Sequence, residues 1–487
     1  MRCRRRVALG NLMLALSSCE RMVTGINRAW LGEGPPPGPV APPDGREIDP
    51  DFHLLSRASF GPWPGDLERL KSMGAAAWIE QQLHPESIAD HACDLRAERF
   101  ESVHFSAGNA YEFRKPVLRA ELTRHTLLRA MYSRRQLLEV MVEFWTDHLN
   151  IDLEKGDCIY LKPSDDREVI RRHALGNFRE LIRASATSPA MLVYLDGQAN
   201  RVRAGSNDKP NENYARELME LHTMGVHGGY SQRDVYEAAR CLSGWSFDRN
   251  RFWALNQGKS FFRADWHDDG AKTVLGHDIP AGGGAQDLDR LVDIVCSHPS
   301  TARFIAGKLC RRLVSAKPAE ELVQRVAAEF SRTQGDIKAM LRLIFASREF
   351  AASPAALLKR PFKFMVSAMR ALLADTQANS ALLEPLQRMG QGLFQHPTPD
   401  GYPDEELPWM GTLLWRWNFA MALAANAQSG VRVDVLGLRR ELGFAPAQWF
   451  AQLVGRRPAA QEAAVFEGGD EIRAVGLILA SPAFQRC

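Results

Sequence analysis

The sequence predicts a mainly α protein: a multi-helix globular domain with a small irregular or β-containing insertion near 247–284. Two observations carry this. Apolar residues recur at three- and four-residue spacings through most of the chain, and strand-like patterns are sparse and confined to one region.

Taken in order, Met1 to Arg6 is a basic leader, and Val7 to Ser18 is an apolar run shorter than the roughly 20 residues that a spanning helix needs. Residues 1–18 therefore read as a signal peptide. The run closes on Leu16-Ser17-Ser18-Cys19, which resembles a bacterial lipobox, so Cys19 is the expected site of lipidation and the protein's link to a membrane. An ordinary cleaved signal is the alternative. Glu20 follows where an aspartate would resemble an inner-membrane retention signal, which leaves outer-membrane sorting open. Residues 19–45 read as a tether, because Gly32 to Gly45 (GEGPPPGPVAPPDG) is too rich in proline and glycine to build a core. Residues 46–487 form the globular part, as one elaborate domain or two intimate lobes, and its expected place is outside the cytoplasm at the cell envelope.

Within that part, helices are predicted over Asp66 to Leu83, Arg114 to Met131, Arg135 to Leu149, Asp166 to Ser185, Asn213 to Met224 and Ser231 to Ser243. Further helices follow over Asp287 to Ser297, Thr301 to Leu313, Pro318 to Phe330, Asp336 to Ala346 and Phe362 to Ala374. Trp253, Phe261, Phe262, Trp266 and Thr273 to Gly276 mark the insertion. Leu341 to Phe350 (LRLIFASREF) also resembles Ile478 to Phe484 (ILASPAF). Duplication or chance similarity of helix ends would each give this echo.

A net charge of +3, part of it in the leader, gives no electrostatic footprint for nucleic acid. Once Cys3 and Cys19 are set aside, the cysteines are Cys93, Cys158, Cys241, Cys296, Cys310 and Cys487, with no CxxC pair. Cys241 and Cys310 lie in apolar helical contexts and read as buried thiols.

The richest segment runs from Asn211 to Gly225 (NENYARELMELHTMG). At about 100° per residue it gathers Asn213, Arg216, Glu217 and Glu220 on one face, beside an apolar stripe of Tyr214, Leu218 and Leu221. His222 lies across that stripe, so it meets Glu217 only if the helix ends or distorts near Gly225. Such a cluster is either a solvated face with an Arg216–Glu220 pair, or a set of metal ligands and acid–base groups. Ser231 with Asp234 reads as a capping box, and Arg233–Glu237 as an ordinary helical pair.

Several of these stretches resemble signatures of one bacterial family, DUF1800. They are His53 to Gly61, Phe144 to Asn150 (FWTDHLN), Asn211 to Gly225, Tyr230 to Val235, Ala239 to Trp245, His267 to Gly276 and Gly401-Tyr402-Pro403 before Trp409. The resemblance implies an exported protein commonly found beside a secreted DUF1501-type protein, of the sulfatase and alkaline phosphatase group. It supplies no catalytic residues.

The chemistry therefore rests on residue type. Asp147, His148, Glu217, His222, His267 and Asp268 offer oxygen and nitrogen ligands from three segments, enough for a divalent metal ion if they converge. Glu217, Glu220, Arg216 and Asp234 are the candidate catalytic groups. No HExxH, paired ExxH, GxSxG or phosphate loop is present. Three functions remain. One is a metal-dependent hydrolase or oxidoreductase acting on envelope or extracellular polymers. The second is a non-catalytic binding or assembly lipoprotein partnering a DUF1501-type protein. The third is a carbohydrate-binding module using Trp253, Trp266, Trp409, Trp415 and Trp417.

Overall fold

A computed structural model describes residues 39–203, 207–248, 258–466 and 470–487. The signal peptide, Cys19, the first part of the tether and Trp253 lie outside the described residues. The fold is mainly α, with three short two-stranded antiparallel sheets among the described residues.

Two of the sheets form the predicted insertion. Trp245–Phe247 pairs with Ser260–Phe262, and Lys272–Val274 pairs with His277–Ile279 across a turn in which Leu275 and Gly276 take positive φ. The third, Asp375–Thr376 with Val431–Arg432, ties two distant stretches together.

Most predicted helices form where the periodicity places them, and the exceptions have local causes. Asp66 to Leu83 is split by Gly74 (φ 84°) into Asp66–Met73 and Ala75–Leu83. Asp166 to Ser185 breaks at Gly176-Asn177, where the Asn177 side chain accepts from Arg179 N and starts a new helix, Phe178–Ala186. The echo between Leu341–Phe350 and Ile478–Phe484 is a shared local structure. In each, a helix (Ile337–Phe345, Glu471–Ala480) is followed by a serine (Ser347, Ser481) whose hydroxyl donates back to an isoleucine carbonyl and accepts from the backbone N–H of the phenylalanine three residues on.

Two large apolar cores organise the chain. The first is drawn from Phe52 to Phe350, and the second mainly from Cys93 to Val140 together with Phe362 to Phe484. The helix Gln136–His148 stands between them, giving Leu137, Met141 and Trp145 to the first core and Val140 to the second. Cys93, Cys158, Cys241, Cys296, Cys310 and Cys487 are all buried free thiols. No helix among the described residues is long and apolar enough to cross a membrane.

Candidate functional site

The helix Gln136–His148 ends at the junction of the two cores, and its last turn decides where the first group of candidate ligands goes. Leu137, Met141, Trp145 and His148 follow one another at four- and three-residue steps, so His148 belongs to the buried stripe and is only 1% exposed. Its Nε2 donates to the His222 carbonyl at 3.0 Å, while Nδ1 has no partner. Burial, with Lys308 nearby, holds its pKa far below the ordinary value, so the ring is neutral. Asp147 faces the other way. Its Oδ2 accepts from Arg360 at 2.8 Å and its Oδ1 from Tyr402 N at 2.9 Å. Asn150 donates to the carbonyls of His396 and Thr398, so the Asp147–Asn150 segment pins the 396–402 loop. Gly401 is required there, because a Cβ would lie 2.2 Å from the Asp147 carbonyl oxygen, at φ 76°.

The segment from Asn213 does distort. A helix over Asn213–Glu217 widens into a π-helical turn, Leu218–Thr223, with Met224 N donating to Met219 O at 2.9 Å. The Phe304 ring occupies the space where Gly225 would carry a Cβ. His222 is thereby carried into the core, 1% exposed, its Nε2 without a partner and its pKa pushed by burial to about 3. Glu217 and Glu220 stay at a half-buried margin, where Glu220 accepts from the Tyr230 hydroxyl at 3.4 Å. Burial, with Glu220 and Asp400 nearby, raises the Glu217 carboxyl. Arg216 turns away from Glu220 and pairs with Glu212 and Gln232.

The remaining candidates anchor the insertion. Asp234 closes the capping box with Ser231, and its Oδ1 accepts from Leu275 N at 2.7 Å. Asp268 forms a two-pronged pair with Arg240 at 2.7 and 3.0 Å, and Arg240 also takes Glu237, leaving no Arg233–Glu237 pair among the described contacts. His267 lies between Ser243 and Asp287. Its Nδ1 is 3.1 Å from the Ser243 hydroxyl and its Nε2 is 3.2 Å from Asp287. This row has the residue types of a catalytic triad, but the Ser243 hydroxyl donates to Arg240 O and accepts from Asp268 N, and Lys272 holds Asp287 at 2.7 Å. Ser243, Asp287 and Lys272 are all buried, so the row ties the insertion to the helix Gln286–Ser297. Among the described residues, no three His, Cys, Asp or Glu side chains group so as to hold a metal ion. Of the six candidate ligands, Asp147 pairs with Arg360, His267 meets Asp287 and Asp268 pairs with Arg240, His148 bonds the backbone carbonyl of His222, whose own ring Nε2 is unpartnered, and Glu217 stands near Glu220.

What the loop over Asp147 encloses is a cationic cleft, which the sequence reading missed. It has about 570 Å³ of space, its open mouth included, and draws Arg57, Arg311, Arg312, Arg360 and Lys363 against the carboxylates of Glu143 and Asp404. A neighbouring pocket that reaches Asp147 and Tyr402 shares Phe60 and Glu143 with it. Arg312 pairs with Glu143 and lies 3.9 Å from Asp404. Arg311 and Arg360 approach Asp404 at 3.9 and 3.8 Å, beyond hydrogen-bond range. Arg360 is 7% exposed, its guanidinium lies 6.0 and 5.8 Å from the centres of the Tyr402 and Trp409 rings, and its Nε and Nη2 make no hydrogen bond. Arg57 spends three hydrogen bonds on the carbonyls of Leu313, Val314 and Ser353, and its Nε is also unpartnered. Burial and Arg360 push Arg312 down to about 9, and burial brings Lys363 to about 8. Burial works to raise the Cys487 thiol, yet Lys363, Arg57, Lys359 and Arg312 together bring it below its ordinary value. Positive charge is thus in excess over the carboxylates available to it.

No curated protein and no solved structure matches this chain. The family model described as "Protein of unknown function (DUF1800)" matches residues 53–486. That span takes in both cores, the insertion, the loop over Asp147 and nearly all of the cleft wall, and the chain belongs to the DUF1800 family.

Proposed function

We propose that this protein is an exported, lipid-anchored binding component of the cell envelope, and that it receives an anionic group of an envelope or extracellular polymer in the cleft beneath the 401–404 loop. The observation that carries this is the excess of cations there: five from three separated stretches of chain, Arg57 and Arg360 among them buried, against Glu143 and Asp404 in the wall and Asp147 behind Arg360. Buried charge of one sign is costly unless a counter-charge arrives. The non-catalytic reading is supported by Asp147, Asp234, His267 and Asp268, whose side chains are engaged in structural contacts. The DUF1501-type exported protein that the family resemblance implies is the proposed partner.

Elemental analysis by mass spectrometry tests this on the full-length chain, purified in detergent without chelators or a metal-binding tag. The reading expects metal far below one ion per chain, and retention of a polyanionic envelope fraction that is reduced by Arg311→Gln. Stoichiometric zinc, iron or manganese lost on His148→Ala would overturn it in favour of a metal-dependent enzyme.

One observation favours a second reading. Glu217, raised by burial and by Glu220 and Asp400, is a carboxyl suited to carry a proton, and with Tyr230 near Glu220 it would serve a hydrolase working by acid–base chemistry. That reading expects hydrolysis of an envelope polymer to be abolished by Glu217→Gln with the fold unchanged.

A further inference from the structure

We infer that the cleft is a site for an organic oxyanion, a sulfate or phosphate monoester, with Arg360 and Arg312 holding the head group, apolar walls holding the body, and Asp404 acting as a competing internal anion. This deepens the binding reading above and rests on it.

The head-group end is defined by donors that the protein leaves unused. Arg360 has one Nη committed to Asp147 at 2.8 Å, so its plane is fixed, while Nε and Nη2 remain free in a buried setting. A guanidinium presents adjacent N–H groups in a fork that matches two oxygens of a sulfate, phosphate or carboxylate, which a point-charge ammonium does not. Arg312, fixed by Glu143, and the more exposed Arg311 flank the same space.

Asp404 is the informative residue. Its carboxylate lies 3.8–3.9 Å from Arg360, Arg312 and Arg311, close enough to offset their charge yet too far to take their hydrogen bonds. It is carried on the loop that Asp147 holds through Tyr402 N. An incoming oxyanion with shorter contacts would therefore displace a weak electrostatic partner and leave the Asp147–Arg360 pair standing. Beside Arg57, Lys363 and Cys487, the rest of the wall is apolar: Phe60, Val140, Leu313, Leu357 and Leu358. Bare inorganic anions would leave that surface wet, and an ester with an apolar body would cover it.

Titration calorimetry on the full-length protein in detergent, in low-salt buffer free of phosphate, tests this with 4-nitrophenyl sulfate, 4-nitrophenyl phosphate, 4-nitrophenol and inorganic sulfate. The two esters are expected to bind at least about tenfold more tightly than inorganic sulfate, and the neutral phenol not at all over the same range. Arg311→Gln is expected to weaken ester binding about tenfold and Asp404→Asn to tighten it, opposite signs that general loss of structure does not produce. Both variants give up only ion pairs at 3.8–3.9 Å, so the fold is kept. Equal binding of ester and phenol, or no response to either substitution, overturns the inference. Absence of ester binding while an envelope polymer is still retained rejects this ligand class and leaves the binding reading intact. Ester binding accompanied by release of 4-nitrophenolate upholds the ligand class and overturns the non-catalytic reading.

Discussion

Lowering the pH from 7 to 5 should destabilise this protein through its buried histidines, and the size of the effect follows from the structure. His53, His125, His148 and His222 are each 1–3% exposed. Burial, with cations nearby, lowers them all: His53 to about 4, His222 to about 3, and His125 and His148 far below the ordinary value. The sign is that of a depressed base. Each ring is neutral in the folded chain, whereas in the unfolded chain it takes up a proton below about pH 6.5. The stability it contributes is complete above that value and drains away as the pH falls toward the folded pKa. Between pH 7 and 5 an unfolded histidine gains about 2 kcal/mol from protonation that its folded counterpart cannot share, so four amount to at most about 8 kcal/mol, comparable with the whole stability of a domain. Ordinary carboxylates contribute little in this window, since their unfolded values lie near 4, and carboxyls raised by burial, such as Asp90 and Glu217, act with the opposite sign, which keeps about 8 kcal/mol an upper bound. Urea unfolding followed by tryptophan fluorescence at pH 7, 6 and 5 measures the loss. In His148→Gln, whose amide can still donate to the His222 carbonyl, the pH-dependent part should shrink by about 2 kcal/mol. A midpoint that stays level from pH 7 to 5 would refute the assignment of these rings as buried and neutral.

Three further outcomes follow. Gly401→Ala places a methyl group against the Asp147 carbonyl at positive φ, and should cost about 1–2 kcal/mol by strain alone, read as a lowered Tm. An unchanged Tm would mean that the 396–402 loop is not pinned as described. Asp287→Asn strips the buried Lys272 of its counter-charge and should destabilise by about 3–5 kcal/mol, with the loss seen first as faster hydrogen exchange in the insertion. Ser231→Ala removes one half of the capping box and should cost about 1 kcal/mol in chemical unfolding, without affecting any binding activity.

The sequence was most legible where chemistry is local. Helical spacing places the long helices, and Ser231 with Asp234 forms the box that its three-residue separation announces. Gly74 and Asn177 carried readable stop and start signals, yet the apolar spacing runs across both and hides the breaks. His148 follows Leu137, Met141 and Trp145 at helical spacing, so a signal for a buried position stood in the sequence beside its reading as a ligand. The π turn at Leu218–Thr223 had no local signature, because the packing of Phe304 against Gly225 involves a residue far along the chain. The cleft was illegible for the same reason: its cations come from residue 57, residues 311–312 and residues 360–363. The one available signal was charge on an apolar helix, with Lys363 and Arg370 embedded in Pro361–Ala371.

Anomalous diffraction from crystals soaked in selenate shows whether the cations around Arg360 and Arg312 form an anion site. An anion site there gives a selenium peak in the cleft, with selenate oxygens within hydrogen-bond reach of Arg360 Nε and Nη2, and no such peak in soaked crystals of Arg360→Met. Selenium found only at solvent-exposed lysines and arginines, with the cleft empty at saturating selenate, would contradict it.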